Sequence, residues 1–208
     1  MIAGGLQAQP GWKIIAFMAT CCERMVPNFY RFHVETGFGD PSILRDALDK
    51  IWLWIRDGAL PGNRADLISF CDGLAPDTEK FSSEFTSAAL DAANALAITL
   101  EALVQPTSEK AEIVEELAVD TVDGFVQTRE RLDPADPHFE GRISSSKLMR
   151  AELSAQSACV DWLLATDDRS AVVLLRGLQA NYLNSDIHSS VCNHWPQVHH
   201  LVIAPRGR

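Results

Sequence analysis

Four polar side chains in stretches with helical spacing are the candidates for chemistry in this chain. Glu23 and Arg24 are neighbours at the start of ERMVPNFYRFHVETGFGD (residues 23–40), Asn28 follows one helical turn after Arg24, and Asp91 lies in an alanine-rich stretch. Guanidinium, carboxylate and amide groups that converge between helices can line a polar pocket for a small molecule. We therefore take these four residues as ligand-binding candidates.

The same residues have a structural interpretation, which we favour. A guanidinium beside an apolar helix face can hold a carboxylate of a neighbouring helix in a two-point ion pair. Asp91 is the carboxylate that we expect to pair with Arg24. Because buried ion pairs more often fix packing than perform catalysis, these groups are predicted to orient helices against one another.

The Gly-x-Gly-Asp turn at residues 37–40 looks like an anion cradle, but turn chemistry explains it. Gly37 stands where a helix end favours a left-handed residue. Asp40 followed by Pro41 is a typical helix start, with a side-chain acceptor before a residue that needs no amide donor. The Asp40 carboxylate would also repel a phosphate, so we predict no phosphate site here.

Nucleophilic catalysis would need a pair such as Cys22 and His33, and the sequence argues against it. Cys22 lies near the end of a predicted helix, where the helix dipole raises the pKa of a thiol and disfavours the thiolate. No Gly-x-Ser-x-Gly motif is present. We predict no catalytic residue and favour a protein that is not an enzyme, although the sequence leaves that question open.

Metal-ligating residue types occur in the tail CNHWPQVHHLVIAPRGR, where a designed site is not expected. A structural zinc site needs four ligands held by a fold, whereas this segment contains two prolines and lies at the chain end. Dinuclear sites in helical bundles use Glu-x-x-His, which the sequence lacks. We predict neither a metal nor a cofactor.

The charge balance of the sequence argues against two classes of binding partner. The 208 residues include 28 acidic and 18 basic side chains, a formal net charge of −10. Such a surface repels phosphate backbones and anionic headgroups, so we expect neither nucleic acid nor membrane as a partner. The five cysteines form no Cys-x-x-Cys motif, which is typical of cysteines that stay reduced as thiols. The N-terminus has no signal-peptide pattern. We therefore expect a cytoplasmic location.

Helical periodicity runs through the chain, without a convincing alternating strand. Pro27 is expected to end the first helix, because the residue before a proline avoids helical geometry. The predicted helices cover residues 11–25, 28–36, 41–57, 64–74, 83–104, 108–132, 143–166 and 169–184. We therefore predict an all-α, single-domain bundle of about seven or eight helices over residues 1–184. Residues 185–208 form a predicted tail whose order the sequence leaves open.

The stretch FMATCCERMVPNFYRFHVETGFGDPSILRDALDKIW (residues 17–52) resembles the signature region of the YjaG-like proteins, a proteobacterial family classed as a domain of unknown function. A weaker resemblance is DAANAL at residues 91–96. The matching positions are Phe17–Ala19, Cys22–Asn28, Thr36–Asp40 and Leu48–Trp52. The resemblance implies an all-helical, cytoplasmic bacterial protein, and it brings no activity or catalytic residue with it.

Two functional hypotheses remain. The first is a helical protein that acts through protein contacts, with self-association as a homodimer, and an apparent surplus of aromatic residues supports it. Those aromatic residues are Phe29, Tyr30, Phe32 and Trp54. The alternative is a small-molecule-binding protein or enzyme with a polar pocket between helices near Glu23, Arg24 and Asp91.

Overall fold

Seven α-helices make up most of the computed structural model, which describes residues 1–172 and 174–176. They are α1 (Gly11–Thr36), α2 (Pro41–Asp57), α3 (Arg64–Leu74), α4 (Thr86–Ala102), α5 (Ser108–Glu130), α6 (Phe139–Ser145) and α7 (Lys147–Ala165). Short 3-10 helices, Ala3–Leu6 and Arg169–Ala171, precede α1 and follow α7. The described residues contain no strand, which confirms the predicted all-α bundle. The predicted tail at 185–208 lies outside them.

Helix α1 is the centre of the bundle. It packs against α2, α4, α5 and α7, and every residue from Lys13 to Val26 is buried. An α-helix in a bundle usually keeps one face in water, so a helix buried on all sides must also bury its polar residues. Glu23 and Arg24 lie in this enclosed stretch.

Pro27 lies inside α1, so the prediction that it ends the first helix is wrong. An internal proline removes one backbone hydrogen bond and costs about 3 kcal/mol. The helix continues because the residues on both sides of the proline belong to the same buried core, including Met25, Val26, Phe29 and Phe32. Tertiary packing therefore outweighs the local preference, and the predicted helices at 11–25 and 28–36 are one element.

The turn between α1 and α2 has the predicted chemistry. Gly37 adopts a left-handed conformation, with φ of 71°, and its amide donates to the carbonyl oxygen of His33 at 2.7 Å. The Asp40 carboxylate accepts a hydrogen bond from the amide of Ser42 at 2.9 Å, with Pro41 at the first helical position. These caps set the direction in which α2 returns along α1.

Alanines let α4 lie close to its neighbours. Ala89, Ala92, Ala93 and Ala95 are fully buried, and α4 packs against α1, α2, α3 and α5. Among the helices of the described part, none is long and apolar enough to span a bilayer.

The predicted helix at 143–166 is divided into two elements. Ser146 separates α6 from α7, and its side chain accepts a hydrogen bond from the Met149 amide at 3.1 Å, which caps α7. Helix α6 begins at Phe139, inside the stretch LDPADPHFEG (residues 132–141), which contains two prolines. A small apolar cluster of Val126, Leu132, Ile143 and Met149 holds it beside α5.

We expect Ala92→Leu to destabilise the protein by about 1–3 kcal/mol, because the larger side chain overpacks a fully buried position. The measurement is thermal unfolding followed by circular dichroism. Ala158→Leu is the matched control, since Ala158 is exposed within α7. Equal melting temperatures for the two variants would contradict the close packing of α4.

Candidate functional site

Glu23 of α1 is saturated with internal hydrogen bonds. Its carboxylate accepts from Arg45 Nη1 at 2.8 Å and Nη2 at 2.9 Å, from Trp52 Nε1 at 2.8 Å and from Arg176 Nε at 3.1 Å. A carboxylate offers about four lone-pair positions to donors. These four N–H groups therefore occupy the acceptor positions of the Glu23 carboxylate. Only 8% of the residue is exposed.

Helix α2 supplies three of the residues around Glu23. Arg45, Asp49 and Trp52 are spaced so that they share one face of α2. Asp49 accepts a hydrogen bond from Arg45 Nε at 2.9 Å and another from Arg176. The Arg176 guanidinium also lies over the Trp52 ring, 5.9 Å from its centroid. We call Glu23, Arg45, Asp49, Trp52 and Arg176 the Glu23 cluster.

Charges balance within the Glu23 cluster, because two carboxylates meet two guanidinium groups. Burial alone would lower the pKa of Arg45, but the hydrogen bonds and charge of Glu23, with a further contribution from Asp49, outweigh it. The pKa of Arg45 is therefore raised, and the guanidinium stays charged. The cluster ties α1 to α2 by charge as well as by apolar packing.

Arg24 points away from Glu23, towards α7. Its Nε donates to Glu152 Oε2 at 2.8 Å, its Nη2 to Glu152 Oε1 at 2.6 Å and its Nη1 to the carbonyl oxygen of Thr20 at 3.0 Å. Gln156 Nε2 also donates to Glu152, at 2.9 Å. Burial opposes the charge of Arg24, yet the Glu152 carboxylate raises its pKa above the ordinary value.

The prediction that Arg24 pairs with Asp91 is wrong. Successive residues on a helix point about 100° apart, so Glu23 and Arg24 necessarily meet different neighbours. Arg24 meets the carboxylate of Glu152, whereas Asp91 on α4 accepts a hydrogen bond from Thr121 Oγ1 of α5 at 2.9 Å. The partner of each charge depends on which helix lies beside it.

The carboxyl group of Asp91 has a raised pKa. Its partial burial raises its pKa from 3.8 to about 6, the charge of Asp120 adds to this, and the hydrogen bond from Thr121 opposes it. Asn28 is buried on α1, one turn after Arg24. The hydrogen bonds of Glu23, Arg24 and Asp91 lead to three different elements, α2, α7 and α5. A ligand-binding role for the four candidates stays a prediction.

The structure adds residues that the sequence analysis did not select: Arg45, Asp49, Trp52, Glu152 and Arg176. The spacing of Arg45, Asp49 and Trp52 could have identified them from the sequence, because it places all three on one face of a helix. Glu152 was detectable as a carboxylate on the same helix stripe as Met149 and Cys159. No local signal marked Arg176, because its contacts are with residues more than a hundred positions earlier.

The four cysteine side chains among the described residues are buried free thiols. Burial raises the pKa of Cys22 to about 12, although a hydrogen bond with Thr99, at 3.5 Å, opposes the shift. His33 lies eleven residues further along α1, about 16 Å at 1.5 Å per residue, and one ring nitrogen is 3.1 Å from the Phe38 carbonyl oxygen. Cys22 and His33 therefore form no catalytic pair. In residues 1–172 and 174–176, no three His, Cys, Asp or Glu side chains could hold a metal ion.

Three of the four aromatic residues that suggested an interface, Phe29, Phe32 and Trp54, pack against the core of the chain. Phe29 and Phe32 are fully buried, with an edge-to-face contact of 6.1 Å between ring centroids. Phe32 also packs against Phe81 at 5.0 Å. Trp54 is partly buried, and the Arg169 guanidinium lies 5.2 Å from its ring centroid. The core accounts for these three residues, so they do not support an interface.

Comparison with known proteins identifies relatives along most of the chain. The family model described as "Protein of unknown function (DUF416)" matches residues 2–187. The uncharacterized protein YjaG of Escherichia coli is 29% identical over 184 residues, covering 85% of this chain and 88% of the relative. YjaG of Salmonella typhimurium is 27% identical over 179 residues, with the same two shares.

A solved structure has the same fold. The crystal structure of a DUF416 family protein from Shewanella baltica matches with a TM-score of 0.79 and 22% sequence identity, covering 86% of this chain and 93% of that chain. The family model and the bacterial relatives confirm the family resemblance carried by residues 17–52. At 22% sequence identity, the structural match shows a shared fold and nothing about activity.

We expect Glu152→Gln to lower the free energy of unfolding by about 3 kcal/mol, because it removes the negative charge that Glu152 places against the buried Arg24 guanidinium. Chemical denaturation measures the loss. Asp57→Asn, at an exposed ion pair with Arg56, is the control and should leave the midpoint unchanged. The double variant Arg24→Met/Glu152→Gln should recover most of the loss, and no recovery would contradict the electrostatic explanation.

Asp91 should make stability depend on pH. Its pKa is about 6 in the folded state, above its ordinary value of 3.8, so the folded protein holds the proton more tightly. The stability contributed by the protonated group is therefore present at low pH and is lost as pH rises from about 4 to about 6. We expect Asp91→Asn to be more stable than the unmodified protein by about 1 kcal/mol at pH 7.5, a value discounted for partial solvent screening.

Chemical denaturation at a series of pH values measures the stability difference between Asp91→Asn and the unmodified protein. We expect this difference to vanish near pH 4. Asp120→Asn removes a neighbouring charge and should shift the Asp91 transition to lower pH. A stability difference that is constant over the whole pH range would contradict the assignment.

Proposed function

We propose that this chain, which belongs to the DUF416 family of proteins of unknown function, acts through contacts with protein partners and performs no chemistry on a substrate. We propose a second copy of the chain as the first such partner. The compartment we propose is the cytoplasm, since Cys21, Cys22, Cys71 and Cys159 are free thiols.

The observation that carries this proposal is the state of the Glu23 carboxylate. Four internal N–H groups donate to it, so it has little capacity left for a substrate. Arg24 is engaged by Glu152 in the same way. Acids and bases that serve catalysis need access to a reacting group, whereas these groups hold helices together.

Apolar side chains at the surface are available to drive association. Val34, Leu60, Phe70 and Val104 each expose at least half of their surface. Burying one such side chain contributes about 1.5–3 kcal/mol to an association. Two chains that each carry a net charge of −10 repel one another, so self-association should strengthen as salt screens the repulsion.

A second candidate function is small-molecule binding or catalysis at a polar site near Asp91. The observation that favours it is the Asp91 carboxyl, because burial raises its pKa to about 6. A group that titrates near neutral pH suits general acid or base catalysis. This candidate requires a ligand whose binding depends on Asp91.

Sedimentation at several protein concentrations tests self-association. We expect a monomer–dimer equilibrium whose dimer fraction increases between low and moderate salt. A strict monomer under all conditions, with no protein recovered alongside it, would contradict the proposal.

A melting-temperature screen against metabolites and metal ions separates the two candidates. A ligand at a hundred times its dissociation constant stabilises a protein by about 2.7 kcal/mol. We expect no such response. A ligand that stabilises the unmodified protein but not Asp91→Asn would establish the second candidate and overturn the first.

A further inference from the structure

Arg31 of α1 is a partly buried arginine that lacks an acceptor. In the described part of the chain, five other arginines are buried or partly buried, and each donates to a carboxylate or a backbone carbonyl group: Arg24, Arg45, Arg64, Arg169 and Arg176. Within the same residues, Arg31 makes neither a hydrogen bond nor an ion pair. Its Nε is fully enclosed without an acceptor, whereas its two terminal nitrogens keep contact with solvent. Because an unpaired donor in a buried place costs free energy, this guanidinium favours any acceptor that can reach it.

Aromatic rings hold the Arg31 guanidinium in place. Its Cζ lies 5.7 Å from the centroid of the Phe85 ring. Phe85 in turn makes an edge-to-face contact with Phe125 of α5, at 5.5 Å between ring centroids. A guanidinium that lies on a ring directs its N–H groups outward in its own plane, where they can bind both oxygens of a carboxylate.

Asn28 supplies a second donor beside Arg31. The two residues are three positions apart on α1, so their Cβ atoms are about 5–6 Å apart on one face of the helix. Only 8% of Asn28 is exposed, and its side chain makes no hydrogen bond to the part of the chain that the structure describes. Its amide atoms are not fully enclosed, so they face an opening. An amide and a guanidinium on one helix face can donate to the same ligand.

Helix α7 begins on the side of α1 that carries Asn28 and Arg31. Thr20 Oγ1 and Cys159 Sγ are 3.3 Å apart, and Arg24 Nη2 lies 2.6 Å from Glu152 Oε1. Later residues of α1 therefore meet earlier residues of α7, so the two helices are antiparallel. The amide groups in the first turn of a helix carry a partial positive charge, which favours an anion near this end of α7.

The chain offers Arg31 no carboxylate within its described residues, although its formal net charge is −10. Glu35 follows Arg31 by one helical turn, but its carboxylate accepts a hydrogen bond from Ser83 Oγ at 2.6 Å. The negative charge of Glu35 repels a ligand with two charges more than a ligand with one. An anion with a single carboxylate therefore suits Arg31 better than a phosphate does.

From these contacts we infer that Arg31 and Asn28 form a binding site for a small organic carboxylate, whose oxygens accept from the guanidinium and the amide beside the Phe85 ring. This inference goes beyond the proposed function, because it assigns a ligand without chemistry on that ligand. A carboxylate held by two side chains dissociates in the millimolar range, so it is detected by titration and gives little stabilisation at the concentrations of a melting-temperature screen.

A titration of the full-length protein with sodium benzoate tests the inference. Nuclear magnetic resonance follows the Arg31 Nε–H signal and the side-chain amide signal of Asn28 at constant ionic strength. We expect both signals to shift along one saturable curve. Benzamide has the same ring without the charge and should shift neither signal, and inorganic phosphate should bind more weakly than benzoate.

Arg31→Lys keeps the positive charge but removes the planar pair of donors, so we expect benzoate to bind about tenfold more weakly. Arg129→Lys is the matched control, because Arg129 is exposed in the last turn of α5, and it should bind benzoate like the unmodified protein. Calorimetry measures the dissociation constants of all three proteins. Equal dissociation constants for Arg31→Lys and Arg129→Lys would overturn the inference.

Asn28→Asp answers the same question if circular dichroism shows that Arg31→Lys has unfolded. This variant places a carboxylate of the chain itself one helical turn from Arg31, so we expect it to lose benzoate binding. Undiminished binding by Asn28→Asp overturns the inference. A benzoate response that does not saturate, or that benzamide or phosphate reproduces at the same concentrations, overturns it as well.

Discussion

A helix buried on every side can keep charged residues only if each one meets an opposite charge, and this constraint shapes the protein around α1. Every residue from Lys13 to Val26 is buried, and Glu23 and Arg24 lie within that stretch. An unpaired charge in such a place would cost several kcal/mol. Two neighbouring residues on one helix therefore require two different partner helices.

These paired charges contribute more to the arrangement of the helices than to net stability. A buried ion pair recovers in attraction roughly what its desolvation costs, so apolar residues of similar size would serve stability as well. Its geometry, however, is demanding. Arg24 can make its two-point contact with Glu152 only when α7 has one particular position along the axis of α1. In the same way, Glu23 can accept from its donors on α2 only when α2 has one particular position along that axis.

This use of polar groups bears on function. The Glu23 carboxylate accepts hydrogen bonds from donors within the chain, and the Arg24 guanidinium pairs with the buried Glu152 carboxylate. These contacts hold the helices together and leave the two groups little capacity to bind a substrate. What stays available to a partner is the exposed surface, which includes the apolar side chains of Val34, Leu60, Phe70 and Val104.

The sequence by itself determined the helical class and most helix ends, because periodicity and capping are local. Gly37, Asp40 and Pro41 specify a turn whichever helices surround it. It also singled out Glu23 and Arg24 as the polar residues to explain. Only the tertiary structure decided that α1 continues through Pro27 and that Arg24 meets Glu152 instead of Asp91. Both outcomes depend on which distant elements lie against α1, and local spacing carries no information about residues more than a hundred positions away.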